Sequence, residues 1–179
     1  MKNILITGGA GFIGSNLAEK LIEKNKVIVF DNFSEGKREY VPEKSEIVEG
    51  NILDARQIEK AMKGIEVCYH FAADPRVKES FSNPMENFNQ DVAGTINVLE
   101  ACRKNNVKTI VFASSSVVYG NAKIPTPETA PISPVSNYAA AKAASENYLM
   151  SYSSLYGIRS IIIRYANIIG PHSTHGVIF

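Results

Sequence analysis

The sequence predicts a doubly wound α/β fold, a parallel sheet with helices packed on both of its faces. Two observations carry that expectation. Short runs rich in Val, Ile and Leu alternate regularly with longer segments patterned as helices, and those short runs are apolar at nearly every position. A strand with one wet face alternates apolar and polar residues, whereas a strand covered on both faces does not need to. Regular β–α alternation then joins neighbouring strands by helical crossovers, which makes them parallel.

The predicted strands, in order, are Asn3–Thr7, Val27–Phe30, Glu46–Glu49, Val67–Phe71, Thr109–Ala113 and Ser160–Arg164. Between them, Phe12–Lys24 carries Ile13, Leu17, Leu21 and Ile22 at helical spacing. Asp54–Lys63 opens on a residue suited to capping backbone N–H groups and stops at Gly64. Asn87–Asn105 reads as one long helix with Val92, Ile96, Val98 and Leu99 on its inner face. The Ala-rich segment Asn137–Tyr156 ends at Gly157. The loop Asn121–Ser136 holds four prolines, at 125, 127, 131 and 134, and is expected to be irregular but ordered.

A chain of 179 residues fits one domain with one good core. Hydrophobic residues make up 45% and charged residues 21%, ordinary proportions for a water-exposed globular fold. The net charge of +1 offers none of the basic excess that nucleic acid or an anionic membrane surface calls for. No apolar run reaches the roughly 18–20 residues a membrane span needs. The opening Met1–Thr7 runs straight into glycines and reads as a strand, not a signal peptide. Cys68 and Cys102 lack CxxC spacing and are expected as reduced core thiols in a cytoplasmic protein. His70 ends an apolar strand and reads as a hydrogen-bonded core histidine. His172 and His175 have no metal-ligand company, so no metal is expected. Lys78, Glu79 and the other scattered charges read as solvated surface, while Arg76 follows strand four and borders the expected site.

Chemistry is concentrated at three places. Gly8, Gly11 and Gly14 form GxxGxxG between the first strand and the first helix. Such a turn brings backbone close to a pyrophosphate and aims a helix N-terminus at it. Asp31 closes the second strand, 17 residues after Gly14. A carboxylate there binds both hydroxyls of an adenosine ribose and repels a 2′-phosphate, which favours NAD over NADP; a loop Asp that caps nearby backbone is the alternative. Tyr138 and Lys142 form YxxxK, and i and i+4 share one helix face. A phenol with a pKa near 10 is a poor base at neutral pH unless a cation beside it favours the phenolate. The same spacing also arises on solvated helix faces. Ser114-Ser115-Ser116, after the fifth strand, either supplies a hydroxyl to a substrate oxygen at the ligand-binding end of the sheet or simply ends the strand.

TGGAGFIG at 7–14, Asp31-Asn32, HFAA at 70–73, SSSVVYG at 114–120, YAAAK at 138–142 and RYANIIGP at 164–171 occur in that order. Together they resemble the extended short-chain dehydrogenase/reductase family, whose fold is the Rossmann fold, and within it the UDP-glucose 4-epimerase branch. The resemblance covers essentially the whole chain. It implies NAD as cofactor, held by Gly8, Gly11, Phe12, Ile13 and Gly14 at the turn, by Asp31, Asn32, Phe33, Ser34 and Gly36 near the adenosine, and by Asn51 and Ile52 at the adenine. Phe71, Ala72, Ala73, Gln90, Ala113 and Tyr165 line the rest of its path. Two positions depart from the family: Asn51 stands where Asp is usual, and Asp91 where Asn is common. The resemblance further implies Ser115, Tyr138 and Lys142 as the catalytic set, and Ser115, Ser116, Tyr138 and Asn167 as substrate contacts. It implies a UDP-hexose as substrate, a homodimer built on the helices Asn87–Asn105 and Asn137–Tyr156, and a C-terminal substrate lobe. On that expectation residues 1–179 form the NAD-binding Rossmann domain and the substrate lobe is largely missing, with 176–179 resembling the start of a further element. Ser116-Val117 stands where sugar-nucleotide dehydratases carry an Asp-Glu pair, which disfavours dehydration. A decarboxylase or reductase of the same family, or an NAD-binding piece without activity, remains open.

Overall fold

The computed structural model describes residues 1–77 and 79–173. Lys78, His175 and the stretch 176–179, on which expectations fell, lie outside the described residues.

Six strands form one sheet: β1 (Asn3–Thr7), β2 (Lys26–Asp31), β3 (Glu46–Glu49), β4 (Val67–His70), β5 (Thr109–Ser115) and β6 (Arg159–Tyr165). Every pairing is parallel, and the order across the sheet is β3-β2-β1-β4-β5-β6. The order reverses between β1 and β4. Connections leave those two strands toward opposite halves of the sheet, and a crevice opens above their C-terminal ends.

Double coverage explains the unbroken apolar runs. On β1 and β2, Leu5, Ile28 and Phe30 point to one face, where they join Ile58, Met62, Leu99, Ile110, Phe112 and Leu149 in the larger core. Ile4, Ile6, Val27 and Val29 point to the other face, against Ala18 of helix α1 (Phe12–Leu21) and Val41. The larger core is closed by α2 (Ala55–Ala61), α5 (Gly94–Lys104) and α6 (Asn137–Tyr156). Cys68 and Cys102 are free thiols within it, and a hydrogen bond with the Cys102 thiol, then burial, push the Cys68 thiol well up, so it stays protonated.

Local chemistry sets the helix ends. The Asp54 carboxylate accepts the N–H groups of Arg56 and Gln57 at the start of α2. Ser136 does the same for Ala139 at the start of α6. Two short helices, α3 (Glu79–Ser82) and α4 (Pro84–Phe88), precede α5. The single helix expected over Asn87–Asn105 is instead α4, a π turn over Asn89–Ala93, and α5. The widened turn is pinned at the Asp91 carbonyl, which accepts the hydroxyls of Thr95 (2.6 Å) and Ser145 (2.7 Å). β5 extends two residues past the expected Ala113, which sets Ser114 and Ser115 in register with Arg164 and Tyr165 of β6.

Candidate cofactor cleft and active site

A cleft of about 560 Å³ follows the strand ends across the point where the order reverses. That size suits a small-molecule site. Its floor is the glycine turn. Gly8 sits at φ +68°, and a Cβ there would lie 2.6 Å from the Ala72 nitrogen. A Cβ on Gly14 would lie 2.2 Å from the Gly8 carbonyl oxygen. Gly14 thus lets α1 sit directly on the turn. At Gly11 a Cβ would meet only the Gly8 oxygen, at 3.4 Å, so this residue borders open space in the cleft. No side chain caps α1, which leaves the N–H groups of its first turn, at Phe12, Ile13 and Gly14, for a ligand.

Asp31 is buried at the end of β2 and caps nearby backbone, one of the two readings its position allowed. One carboxylate oxygen accepts the Ala10 N–H (2.9 Å) and the other the Phe33 N–H (2.8 Å), which ties the glycine turn to the loop after β2. The carboxylate also lines the cleft, with lone pairs left over. Asn51 lines the cleft too, its side-chain oxygen accepting the Leu53 N–H at 2.9 Å.

At the far end, α6 brings Tyr138 and Lys142 to the cleft beside Ser115 of β5 and Tyr165 of β6. Lys142 is almost wholly buried. Its ammonium lies 5.1 Å from the centre of the Phe112 ring and 5.5 Å from that of Tyr138. The Ser115 oxygen accepts a long bond from the Val117 N–H (3.4 Å), so its own proton is free to donate. Burial pushes the Tyr165 phenol up, while the Lys142 ammonium stands over the Tyr138 ring.

Of the residues expected at the site, Gly8, Gly11, Phe12, Ile13, Gly14, Asp31, Asn32, Ser34, Gly36, Asn51, Ile52, Phe71, Ala72, Ala73, Gln90, Ala113, Ser115, Tyr138, Lys142 and Tyr165 line this one cleft. Phe33, Ser116 and Asn167 do not. Phe33, at φ +56°, packs toward the β1–β2 core with the Arg38 guanidinium 4.3 Å above its ring. Ser116 opens the 3-10 turn Ser116–Tyr119, and Asn167 lies between the cleft residues Ala166 and Ile168. The cleft also includes Glu35, Asp74, Arg76 and Glu86, which the sequence reading either left out or only placed nearby. Arg76 grips Asp74 through Nε (2.8 Å) and Nη2 (3.0 Å). Burial works against that carboxylate, and the Arg76 bonds still hold it below its ordinary range.

The expectation that scattered charges are solvated fails at three acids. Asp74, Asp91 and Glu146 are buried. Glu146 accepts Arg164 Nη2 (2.7 Å) and Nε (2.9 Å) and the Ser114 hydroxyl, and Arg164 also donates to the Tyr119 phenol (2.6 Å). The ends of β5, β6 and α6 are held together by this network, one residue behind Ser115 and Tyr165 and one helical turn beyond Lys142. Its members lie far apart in sequence, and nothing in their spacing announces the pairing.

His70 is the hydrogen-bonded core histidine the sequence suggested, and its tautomer follows from its partners. The Thr95 hydroxyl gives its proton to the Asp91 carbonyl, so it accepts from His70 Nε2–H at 3.0 Å. Nδ1 is then bare and accepts the Thr7 hydroxyl at 2.7 Å, while Thr7 accepts the Ala72 N–H at 3.3 Å. Burial, with the Lys142 charge second, lowers the His70 pKa to about 3. A neutral relay therefore runs beneath the cleft from the Ala72 backbone to the π turn.

Fold and site together define a class: a Rossmann-type domain with a phosphate-ready glycine turn at one end of its cleft and a tyrosine–lysine pair at the other. The chain belongs to the NAD dependent epimerase/dehydratase family, which it matches over residues 4–178. Among curated relatives, the UDP-glucose 4-epimerase of Corynebacterium glutamicum is 34% identical over 175 residues, covering 97% of this chain and 53% of that one. Among solved structures, a UDP-galactose 4-epimerase superposes with a TM-score of 0.93 at 48% identity, covering 98% of this chain and 59% of that one. The Thermus thermophilus UDP-glucose 4-epimerase, solved in complex with NAD, superposes at 0.93 with 38% identity, covering 98% of this chain and 58% of that one. The chain thus spans somewhat over half the length of these relatives.

Proposed function

We propose that residues 1–179 are the NAD-binding domain of a UDP-sugar 4-epimerase, with UDP-glucose and UDP-galactose as the substrate pair. The observation that carries this reading is the convergence of Ser115, Tyr138 and Lys142 on the cleft that also holds the glycine turn and Asp31. The relatives named above, all of them 4-epimerases of UDP-hexoses, support it.

NAD fits the cleft by the chemistry of its walls. Gly11 and the uncapped start of α1 suit a diphosphate, Asp31 suits a ribose diol, and Gly50, Asn51 and Ile52 flank the place left for an adenine. Bound there, the nicotinamide supplies reversible hydride transfer at the sugar C4. This chain's residues handle the proton. Tyr138, as phenolate, takes the proton of the sugar 4-hydroxyl when the C4–H bond gives up its hydride. Ser115 donates a hydrogen bond to that oxygen, and Lys142, whose ammonium lies 5.5 Å from the centre of the Tyr138 ring, stabilises the phenolate. In the reverse half-reaction Tyr138 would give the proton back to the sugar oxygen it came from. No redox equivalent is consumed.

The experiment is Tyr138→Phe, with NAD affinity read by isothermal titration and turnover by a coupled UDP-glucose assay. NAD affinity is expected to be kept and turnover to fall by about 10²-fold or more. Undiminished turnover overturns the assignment. Because the chain spans somewhat over half of its relatives, a second reading is an NAD-binding unit without turnover of its own. Titration of the unmodified chain with NAD and then UDP-glucose separates the two: NAD alone binds on the second reading, both on the first. A cytoplasmic homodimer is part of the proposal. Met85 and Phe88 of α4 and Tyr148 and Met150 of α6 are exposed and support pairing of two copies, which sedimentation equilibrium tests.

A further inference from the structure

The turn 51–54, between β3 and α2, reaches the cleft through Asn51 and Ile52. Most of its polar groups are taken. The Asn51 N–H donates to Gln57 Oε1 (2.9 Å), the Leu53 N–H to Asn51 Oδ1 (2.9 Å) and the Asp54 N–H to the Asn51 carbonyl (3.0 Å). From α5, the Asn97 amide nitrogen donates to the carbonyls of Ile52 (3.0 Å) and Leu53 (3.2 Å). At the two cleft residues, two groups have no partner among the described residues: the Ile52 N–H and the Asn51 side-chain nitrogen. Both are donors. Only an oxygen can accept the Leu53 N–H, so the nitrogen is the arm of the Asn51 amide left over. Ile52 is only 5% exposed, and its side chain sits in the larger core. A backbone N–H in so buried a residue is nearly always bonded, and here the cleft is what remains to supply an acceptor.

We infer that the base end of this cleft is a two-donor site that takes a 6-oxopurine dinucleotide at least as well as an adenine one, with Asn51 as the residue that sets this preference. A purine presents N7 beside the group on C6. In a 6-oxopurine such as guanine or hypoxanthine both are acceptors, whereas in adenine N7 lies beside an amino donor. Donors on two consecutive residues can therefore both be satisfied by a 6-oxopurine. Adenine sets its amino group between N7 and N1, so the same two donors find one acceptor and one donor. The Asn51 oxygen, which could accept from that amino group, is already engaged by the Leu53 N–H. A donor left unmet in a desolvated contact costs affinity, which is how a site of fixed polarity tells one base from another.

The inference rests on the proposed NAD site, with the base against Gly50, Asn51 and Ile52, and the test keeps the two apart. The chain is titrated calorimetrically with NAD and with nicotinamide hypoxanthine dinucleotide, in which a carbonyl replaces the 6-amino group of the purine. The hypoxanthine dinucleotide is expected to bind at least as tightly as NAD. Asn51→Asp keeps an oxygen for the Leu53 N–H and puts an acceptor of the same size where the free nitrogen was. In that variant the ratio of the two Kd values is expected to move about 10-fold toward NAD. Thermal melts check that the variant is folded. Tighter binding of NAD by the wild type overturns the inference and leaves the cofactor reading standing, and so does a ratio that does not move toward NAD in folded Asn51→Asp. Failure of the folded wild type to bind either dinucleotide overturns both. If Asn51→Asp does not fold, the wild-type comparison decides alone.

Discussion

His70 gives the protein a pH dependence whose size follows from its surroundings. In the unfolded chain its imidazole titrates at 6.5, and in the fold at about 3. The folded pKa lies below the unfolded one, so the unfolded chain binds the extra proton. Stability is therefore intact above about pH 6.5 and is lost as the pH falls toward 3. Linkage over that window takes away about 2 kcal/mol at pH 5 and about 3 kcal/mol at pH 4. The structure supplies the reason. Protonated Nδ1 would face the Thr7 hydroxyl that now donates to it, and a fully buried site offers the cation little solvation. His70→Asn cannot titrate and keeps one acceptor for Thr7. It is expected to cost roughly 1–3 kcal/mol at pH 7.5 through lost packing and the weakened bond to Thr95. At pH 5 the wild type has lost its own 2 kcal/mol or so, and the gap should close or reverse. Urea unfolding of both proteins at pH 7.5 and pH 5.0 reads the gap directly. A gap that stays constant between those pH values refutes the buried neutral imidazole.

Further substitutions probe the cleft and the network behind it. Gly11→Ala puts its methyl into open space, so melting temperature should hold while NAD affinity falls by about 10-fold or more; Gly14→Ala, 2.2 Å from a carbonyl oxygen, should lower both. Asp31→Asn should weaken NAD roughly 10-fold and narrow its advantage over NADP, measured by titration with each, because the repulsion of a 2′-phosphate is gone. Glu146→Ala leaves Arg164 half-buried without its partner and should cost about 3–5 kcal/mol in denaturant unfolding. Glu146→Gln, which keeps an acceptor for Ser114, should cost less.

The fold was legible because its signals are local. Double burial writes itself into β1, β2 and β5 as unbroken apolar runs, and Asp54, Ser136 and Gly157 mark helix ends within a few residues. The π turn left no such mark. Inserting one residue into a turn shifts the apolar stripe by about 100°, which Val92, Ile96 and Leu99 absorb without breaking a helical pattern. What fixes the turn is the Ser145 hydroxyl, 54 residues away, on the Asp91 carbonyl. β5 ran two residues long for a similar reason: Ser114 and Ser115 are poor strand formers, and β6 alongside supplies the ladder that holds them.

The site divides along the same line. Residues whose chemistry depends on near neighbours in sequence were readable: the glycine turn, Asp31 after β2, and Tyr138 with Lys142 one helical turn away. Phe33 shows the limit even there, since a positive φ turned its ring to the core while Asn32 and Ser34 on either side reach the cleft. Residues whose charge is matched across the sheet were not readable. Glu146 and Arg164 are 18 positions apart. In sequence each is one more charge among the 21% that normally faces water. In the fold a buried charge without a partner is prohibitively costly, so every buried acid needs one. The pattern YxxxK therefore names a pair that reaches the cleft, while the Glu146–Arg164 pair that holds the ends of β5, β6 and α6 behind it appears only in the fold.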